Sequence, residues 1–394
     1  MLRYLKKLFR PRKQVIVYNY TKGCRTTPKK KALLYYKTDV FYDRTLANRY
    51  VHTNNWEIIC IAQCLNQLGF AVDIIDRTVT PQQLETLPYP SYDLFFGIGA
   101  GDSGRYFARI AEKVPQALKI FYAAGPDPDI SNEWTLNRYK EFFKRHPEVS
   151  HISPRRTIEQ VKIQESMKVT DVIFSIGNDY TSATYDQYKK PIHRIRPSSS
   201  PALSMSIEDI ASRNPKHFLY FGGNGNIVKG LDLVVEAFAK LPDCKLFICG
   251  PDEDEFEQVY QLRTGKHPNI ERFGFVQVGG EAFQKLTADC AFILLPSCSE
   301  GIATSVTTCL RRGLIPIVTR ETGIDTETFG FLIDDPYDQE ALIKQIREAA
   351  SLSKAELATR MAHAYINSLQ YTQGQFEQDM TRALVSSLEA AKRL

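Results

Sequence analysis

At 394 residues the chain exceeds what one ordinary core supports and fits two domains of roughly 200 residues each. With 43% hydrophobic and 24% charged residues, 22 Gly and 20 Pro, the composition excludes disordered and fibrous classes. The net charge is +5, but residues 1–31 hold eleven Lys or Arg and no acid, so the remainder carries −6, which argues against a nucleic-acid-binding surface.

The chain opens on this basic leader, residues 1–31. It lacks an apolar core and a small-residue cleavage site, so export is not expected. Leu2, Leu5, Leu8 and Phe9 interleave with Arg3, Lys6, Lys7 and Arg10. That pattern suits a short amphipathic helix on an anionic membrane surface, or equally a solvated leader. The longest apolar runs, such as 290–296, fall far short of the roughly 18 residues needed to span a bilayer. The eight cysteines include no C-x-x-C pair and several lie in apolar runs, as in a reducing cytoplasm without a zinc site.

From residue 32 onward, short β-branched or aromatic runs alternate with helix-period segments, the pattern of parallel sheets with crossover helices. The first domain, 32–200, has strand candidates at 32–36, 71–75, 94–98, 119–123 and 171–176. Between the first two, Ile58, Ile61, Ala62, Leu65 and Leu68 share one helical face, and Asn54 with Glu57 has capping-box spacing. Asp127 and Asp129 form a D-x-D that mimics a metal-binding pair, although the flanking prolines favour a rigid turn. Of the seven histidines, six lack metal-ligand spacing; His52 is either ligand-facing or a simple loop residue.

Turn formers at 197–201 break the alternation and place an interdomain linker around 197–214. The second domain, 215–375, has strand candidates at 217–221, 245–249, 270–273, 291–295 and 315–319, and Leu233, Val234, Ala237, Phe238 and Leu241 mark the core face of its first helix. Residues 376–394 read as a closing helix. Two loops of this domain suit anion chemistry. Residues 221–230 are glycine-rich between strand and helix, so backbone amides can approach a phosphate closely and Lys229 adds a mobile cation. Residues 294–304 end a strand in a polar turn that presents Glu300 and the amides of Gly301, Ile302, Ala303 and Thr304 at a strand's carboxyl end.

These loops, with 249–251 (Cys-Gly-Pro), 273–276 (Phe-Gly-Phe-Val), Gly313, 316–318 (Pro-Ile-Val) and Gly323 in the same order, resemble the retaining, nucleotide-sugar-dependent glycosyltransferases of the group 1 / family 4 type. The resemblance implies a GT-B architecture, two Rossmann-like α/β domains facing across a cleft. It implies transfer of a sugar, with retention, from a nucleotide diphosphate-sugar to a saccharide or glycolipid acceptor, with no metal or other cofactor. Lys229 would bind the diphosphate and Glu300 the sugar hydroxyls, as the catalytic candidates. Gly222, Gly223 and Asn224 in the glycine loop, the 301–304 segment and Thr308 would hold the donor, and Phe275 and Val276 would face the base. His52 and Asn54 sit where such enzymes place a loop facing the donor phosphates.

Three positions depart from the family's pattern. Asn224 stands where a basic residue precedes the lysine by five, Thr308 replaces the second glutamate of an E-x7-E pair, and residues 122–126 lack a histidine. They motivate a rival reading, a catalytically silent GT-B-fold binding or scaffold protein.

Overall fold

The computed structural model describes residues 15–42, 53–99, 104–158, 162–199, 203–205, 213–326 and 328–393. They form two α/β units, each built on one sheet. The first sheet contains β1 (Ile16–Tyr20), β2 (Lys30–Tyr36), β3 (Phe70–Asp76), β4 (Leu94–Ile98), β5 (Leu118–Ala123), β6 (Val172–Ser175) and β7 (Ile192–Arg194), in the order β1-β3-β2-β4-β5-β6-β7. All neighbours are parallel except β1, which runs antiparallel to β3. The second contains β8 (Asn214–Phe221), β9 (Lys245–Cys249), β10 (Ile270–Gly274), β11 (Cys290–Leu295), β12 (Ile315–Thr319) and β13 (Phe331–Ile333), ordered β10-β9-β8-β11-β12-β13 and wholly parallel.

The central strands are apolar in unbroken runs because helices cover both faces of a parallel sheet. Leu33, Leu34, Phe95, Phe96 and the four residues Phe292, Ile293, Leu294 and Leu295 are all essentially inaccessible. Phe218 stacks on Phe292 across the β8–β11 register, with ring centroids 4.8 Å apart. The helix Leu231–Ala239 crosses from β8 to β9 and buries Leu233, Val234, Ala237 and Phe238 on the expected face. Burial of Leu233, Val234 and Phe238 stabilises the fold by roughly 1.5–3 kcal/mol each. Parallel strands gather their carboxyl-end loops along one edge of each sheet, where ligands of open α/β sheets bind.

Several features differ from the sequence reading. The basic leader is not all outside the fold, since Ile16–Tyr20 pairs with β3 as an edge strand. Its side chains are at most half-buried, so it carries no clean alternation to detect. The strands β7 and β13 have three residues each, too few for a period to show. The helix Asn54–Gln67 has Thr53 as its N-cap with no side-chain cap bond, and Glu57 does not complete a capping box. Glu57 instead accepts the Ser198 backbone N–H and hydroxyl at 2.7 and 2.9 Å. The start of the expected linker is therefore tied down. Ser199 donates its N–H and hydroxyl to the Tyr371 carbonyl at 2.8 and 2.6 Å, so the two passages of the chain between the halves lie side by side.

The last helix runs Gln373–Ala390, starting where Thr372 accepts the Gln375 amide. It returns to the first half and packs on Asn54–Gln67 through Trp56 and Phe376, edge to face at 5.8 Å. Arg196 clamps Asp379 with two bonds of 2.7 Å. Among the described residues, no helix is long and apolar enough to cross a membrane.

Burial pushes the Glu57 carboxyl up to about 7, against the opposing effect of the Ser198 donors. An unfolded glutamate ionises near its ordinary value of 4.5, so between about pH 5 and 7 the unfolded state releases a proton that the native state keeps. Stability should fall as pH rises through this window, by up to roughly 1.4 kcal/mol per pH unit. Glu57→Gln keeps the acceptor for Ser198 and should flatten that slope in urea unfolding; an unchanged slope would assign it to other groups.

Candidate active site

The glycine loop after β8 is shaped by close approaches. Gly222 donates to the Cys249 carbonyl at 3.0 Å, and Gly230, at φ +77°, lies so near the Pro296 carbonyl that a Cβ would sit 2.4 Å from its oxygen. Only glycine fits there. Gly223 and Asn224 are exposed. The amides of Gly225 and Asn226, which the sequence offered to a bound anion, are already taken by the buried carboxylate of Glu253, at 2.6 and 3.2 Å to Oε1.

The facing loop after β11 is pinned to its neighbours. Cys298 donates to the Val228 carbonyl at 2.9 Å, which ties the two loops together. Glu300 and Ala303 donate their N–H groups to the carbonyls of Glu321 and Thr322, at 2.9 and 3.0 Å. Gly301 is buried, and a Cβ on it would lie 2.4 Å from the Ile176 carbonyl oxygen and 3.0 Å from that of Ala124. The carboxyl-end loops of the two sheets thus touch at Gly301. Ser131 and Ser299 share a hydrogen bond of 2.7 Å across the same boundary.

Lys229 and Glu300, predicted from separate loops, are brought together: the ammonium donates to Glu300 Oε1. Ser297 Oγ donates to the same oxygen at 3.2 Å. A third partner comes from the first half. Arg156 donates from Nη1 to Oε1 at 2.8 Å and from Nη2 to Oε2 at 3.3 Å, and from Nη1 to the Ser299 carbonyl at 3.3 Å. Burial alone would raise the Glu300 carboxyl, but Arg156 and then Lys229 outweigh it and hold it at about 2. Burial lowers the Lys229 ammonium despite the opposing charge of Glu300, and the like charge of Arg156 adds to that lowering.

The other expected residues are placed variously. Ile302 and Ala303 are buried beside Gly301, and Thr304 begins the helix Thr304–Leu310. Thr308 is buried in that helix and donates its hydroxyl to the Thr304 carbonyl at 2.6 Å. After β10, Phe275 is 70% exposed and Val276 is buried. Asn54 opens its helix and hydrogen bonds the buried Tyr36. His52 lies outside the described residues. Asp127 caps the helix Pro128–Arg145, accepting the amides of Asp129 and Ile130, and Tyr188 donates to its other oxygen at 2.6 Å. The D-x-D therefore opens this helix, with Asp127 as its cap, where the prolines had suggested a rigid turn.

Sequence reasoning missed two arginines. Arg156 stands beside Arg155 in a loop with no apolar period, where such pairs read as solvated charge. Arg138 lies on the helix Pro128–Arg145 with its side chain fully buried. It donates from Nε to the Ile227 carbonyl at 3.0 Å, from Nη2 to that of Pro296 at 2.9 Å, and from Nη1 to that of Pro336. It thereby braces both loops of the site from behind.

Comparison with known proteins fits this geometry. Residues 206–367 match the family model for Glycosyl transferases group 1. Sucrose-phosphate synthase from Thermosynechococcus elongatus superimposes with a TM-score of 0.65 at 14% identity, over 93% of this chain and 100% of that one. The chain has the GT-B fold. Another GT-B neighbour is Anabaena HepE, solved in complex with UDP and glucose, with a TM-score of 0.59 at 13% identity over 91% of this chain and 100% of that one. WaaG, a glycosyltransferase involved in lipopolysaccharide biosynthesis, gives 0.54 at 17% identity over 90% and 98%. A search of curated protein sequences finds no match.

Replacing Arg138 by Met, of similar volume, would strand the buried carbonyls of Pro296 and Pro336, while Ile227 keeps the Gly230 N–H and Asp232 keeps Arg145. Removing one partner from a buried charged cluster costs about 3–5 kcal/mol. The thermal unfolding midpoint of Arg138→Met should therefore drop by several degrees; an unchanged midpoint would show that the brace is not structural.

Proposed function

We propose that the chain transfers a sugar, with retention, from a nucleotide diphosphate-sugar to a saccharide or glycolipid acceptor in the cytoplasm. The observation that carries this reading is the meeting of Lys229 and Glu300 at the carboxyl ends of β8 and β11, against the first domain and within the segment that matches group 1 glycosyl transferases. The neighbour solved with UDP and glucose supports a nucleoside diphosphate donor.

In this mechanism Lys229 holds the diphosphate and stabilises the charge that develops on it as the glycosidic bond breaks. The amides of Gly301, Ile302 and Thr304 assist, while that of Ala303 is committed to Thr322. Glu300 accepts the hydroxyls of the transferred sugar. Three donors on its oxygens and a pKa near 2 make it a poor nucleophile, which suits holding and not covalent attack. Cationic side chains and amides meet the diphosphate charge, so the reading calls for no metal. Phe275 and Val276 line the base side, and Gly222, Gly223 and Asn224 lie toward the phosphates.

A thermal-shift panel of nucleotide sugars would identify the donor, because a ligand of the native state raises stability by mass action. Lys229→Ala should then weaken nucleoside diphosphate binding ~10- to 150-fold, the range of ~1.5–3 kcal/mol for a charge-assisted contact. Glu300→Gln should lower transfer, assayed in EDTA, more than it lowers diphosphate affinity. Diphosphate binding without any transfer by the wild-type protein would favour the silent binding reading.

The basic leader suits peripheral attachment to an anionic bilayer where lipid-linked acceptors reside, each Lys or Arg near the surface contributing ~1 kcal/mol. Deleting residues 1–13 should abolish salt-sensitive co-sedimentation with vesicles containing phosphatidylserine and leave nucleotide binding intact. Equal co-sedimentation of both forms would end this idea.

A further inference from the structure

We propose that Arg156 is the second cation of the diphosphate site, delivered by the first domain to a glycine loop that holds only one cation of its own. The proposal rests on the donor reading above and assigns that site a residue from across the domain boundary.

Four observations carry it. First, the glycine loop offers Lys229 alone, since Asn224 is uncharged and Glu253 has taken the amides of Gly225 and Asn226. A diphosphate carries at least two negative charges, so the loop by itself is under-charged for its ligand. Second, Arg156 is held against that loop. A Cβ on Gly225, which sits at φ +93°, would lie 2.8 Å from Arg156 Cδ, so the glycine makes room for the arginine stem. Third, Arg156 itself has φ +65°, in the left-handed region that non-glycine residues rarely adopt. A strained backbone that presents a charged group into a cluster belongs to the pattern of functional sites. Fourth, the guanidinium has five N–H donors, and three serve Glu300 and Ser299. The remaining two, on Nε and Nη2, leave capacity for a phosphate oxygen while the carboxylate stays gripped.

The consequence is a site assembled from both halves. Glu300 holds Lys229 of the second domain and Arg156 of the first on one carboxylate, leaving a local charge of +1. An incoming diphosphate meets two cations already gathered, and its binding favours the arrangement in which the two domains are in contact.

The test uses the full-length protein and isothermal titration calorimetry with UDP, GDP and ADP, each paired with its nucleoside. For the diphosphate that the wild type binds, Arg156→Ala should weaken affinity at least tenfold and leave nucleoside affinity unchanged. Arg156→Lys should recover part of the loss, and so should adding Asn224→Arg to Arg156→Ala, since position 224 adjoins the glycine against which the arginine lies. Thermal unfolding of each variant monitors the fold. If Lys229→Ala weakens diphosphate binding and Arg156→Ala does not, the inference is overturned and the donor reading stands. Binding of no diphosphate by the wild type overturns the donor reading, and this inference with it.

Discussion

The carboxylate of Glu300, gripped by Lys229 from the glycine loop and Arg156 from the opposite domain, sets the constraint around which the rest of the molecule is arranged. Glu300 and Lys229 have little access to water and are tolerable there only if paired and hydrogen bonded, while Arg156 reaches them from an exposed loop. Ser297 supplies a further donor, and the Ser299 carbonyl accepts a further N–H. The cluster keeps one net positive charge, which complements an anion. The loops that carry Lys229 and Glu300 are also held by backbone bonds to their neighbours, Gly222 to Cys249 at the end of β9 and Glu300 to Glu321 after β12.

These contacts are backed by the interface between the halves. The helix Pro128–Arg145 belongs by sequence to the first domain, yet its buried Arg138 caps the carbonyls of Ile227 and Pro296 in the second. Arg145 from the same helix meets Glu236 at 3.0 Å and also pairs with Asp232. His146, just beyond its end, lies 2.9 Å from Glu236 and 3.0 Å from the Tyr260 hydroxyl. Gly301, wedged against Ile176 and Ala124, needs the absence of a side chain for the loops to meet. The return of the Gln373–Ala390 helix to the first half closes the arrangement from the other side.

Much of this was legible before any coordinates. Long buried strands such as β2, β4 and β11 show as apolar runs because both of their faces are covered, and the two anion-type loops show because glycines with a lysine or glutamate at strand ends have the local pattern of phosphate-binding turns. What stayed hidden was hidden for physical reasons. The edge strand β1 is half-exposed and lies among basic residues, so its pattern reads as leader. Glu57 has the spacing of a cap, but its partner Ser198 is 141 positions away, and no local rule reaches that far. Arg156 and Glu253 carry no periodic signal, and their importance arises only from which loops the two sheets bring face to face.

The most direct test of this account is the structure of the protein crystallised with the nucleoside diphosphate that stabilises it. The account predicts phosphate oxygens within hydrogen-bond distance of Lys229 Nζ, at the carboxyl ends of β8 and β11, with Glu300 directed toward the sugar side. A diphosphate bound elsewhere, with the pairing of Lys229, Glu300 and Arg156 undisturbed, would contradict it.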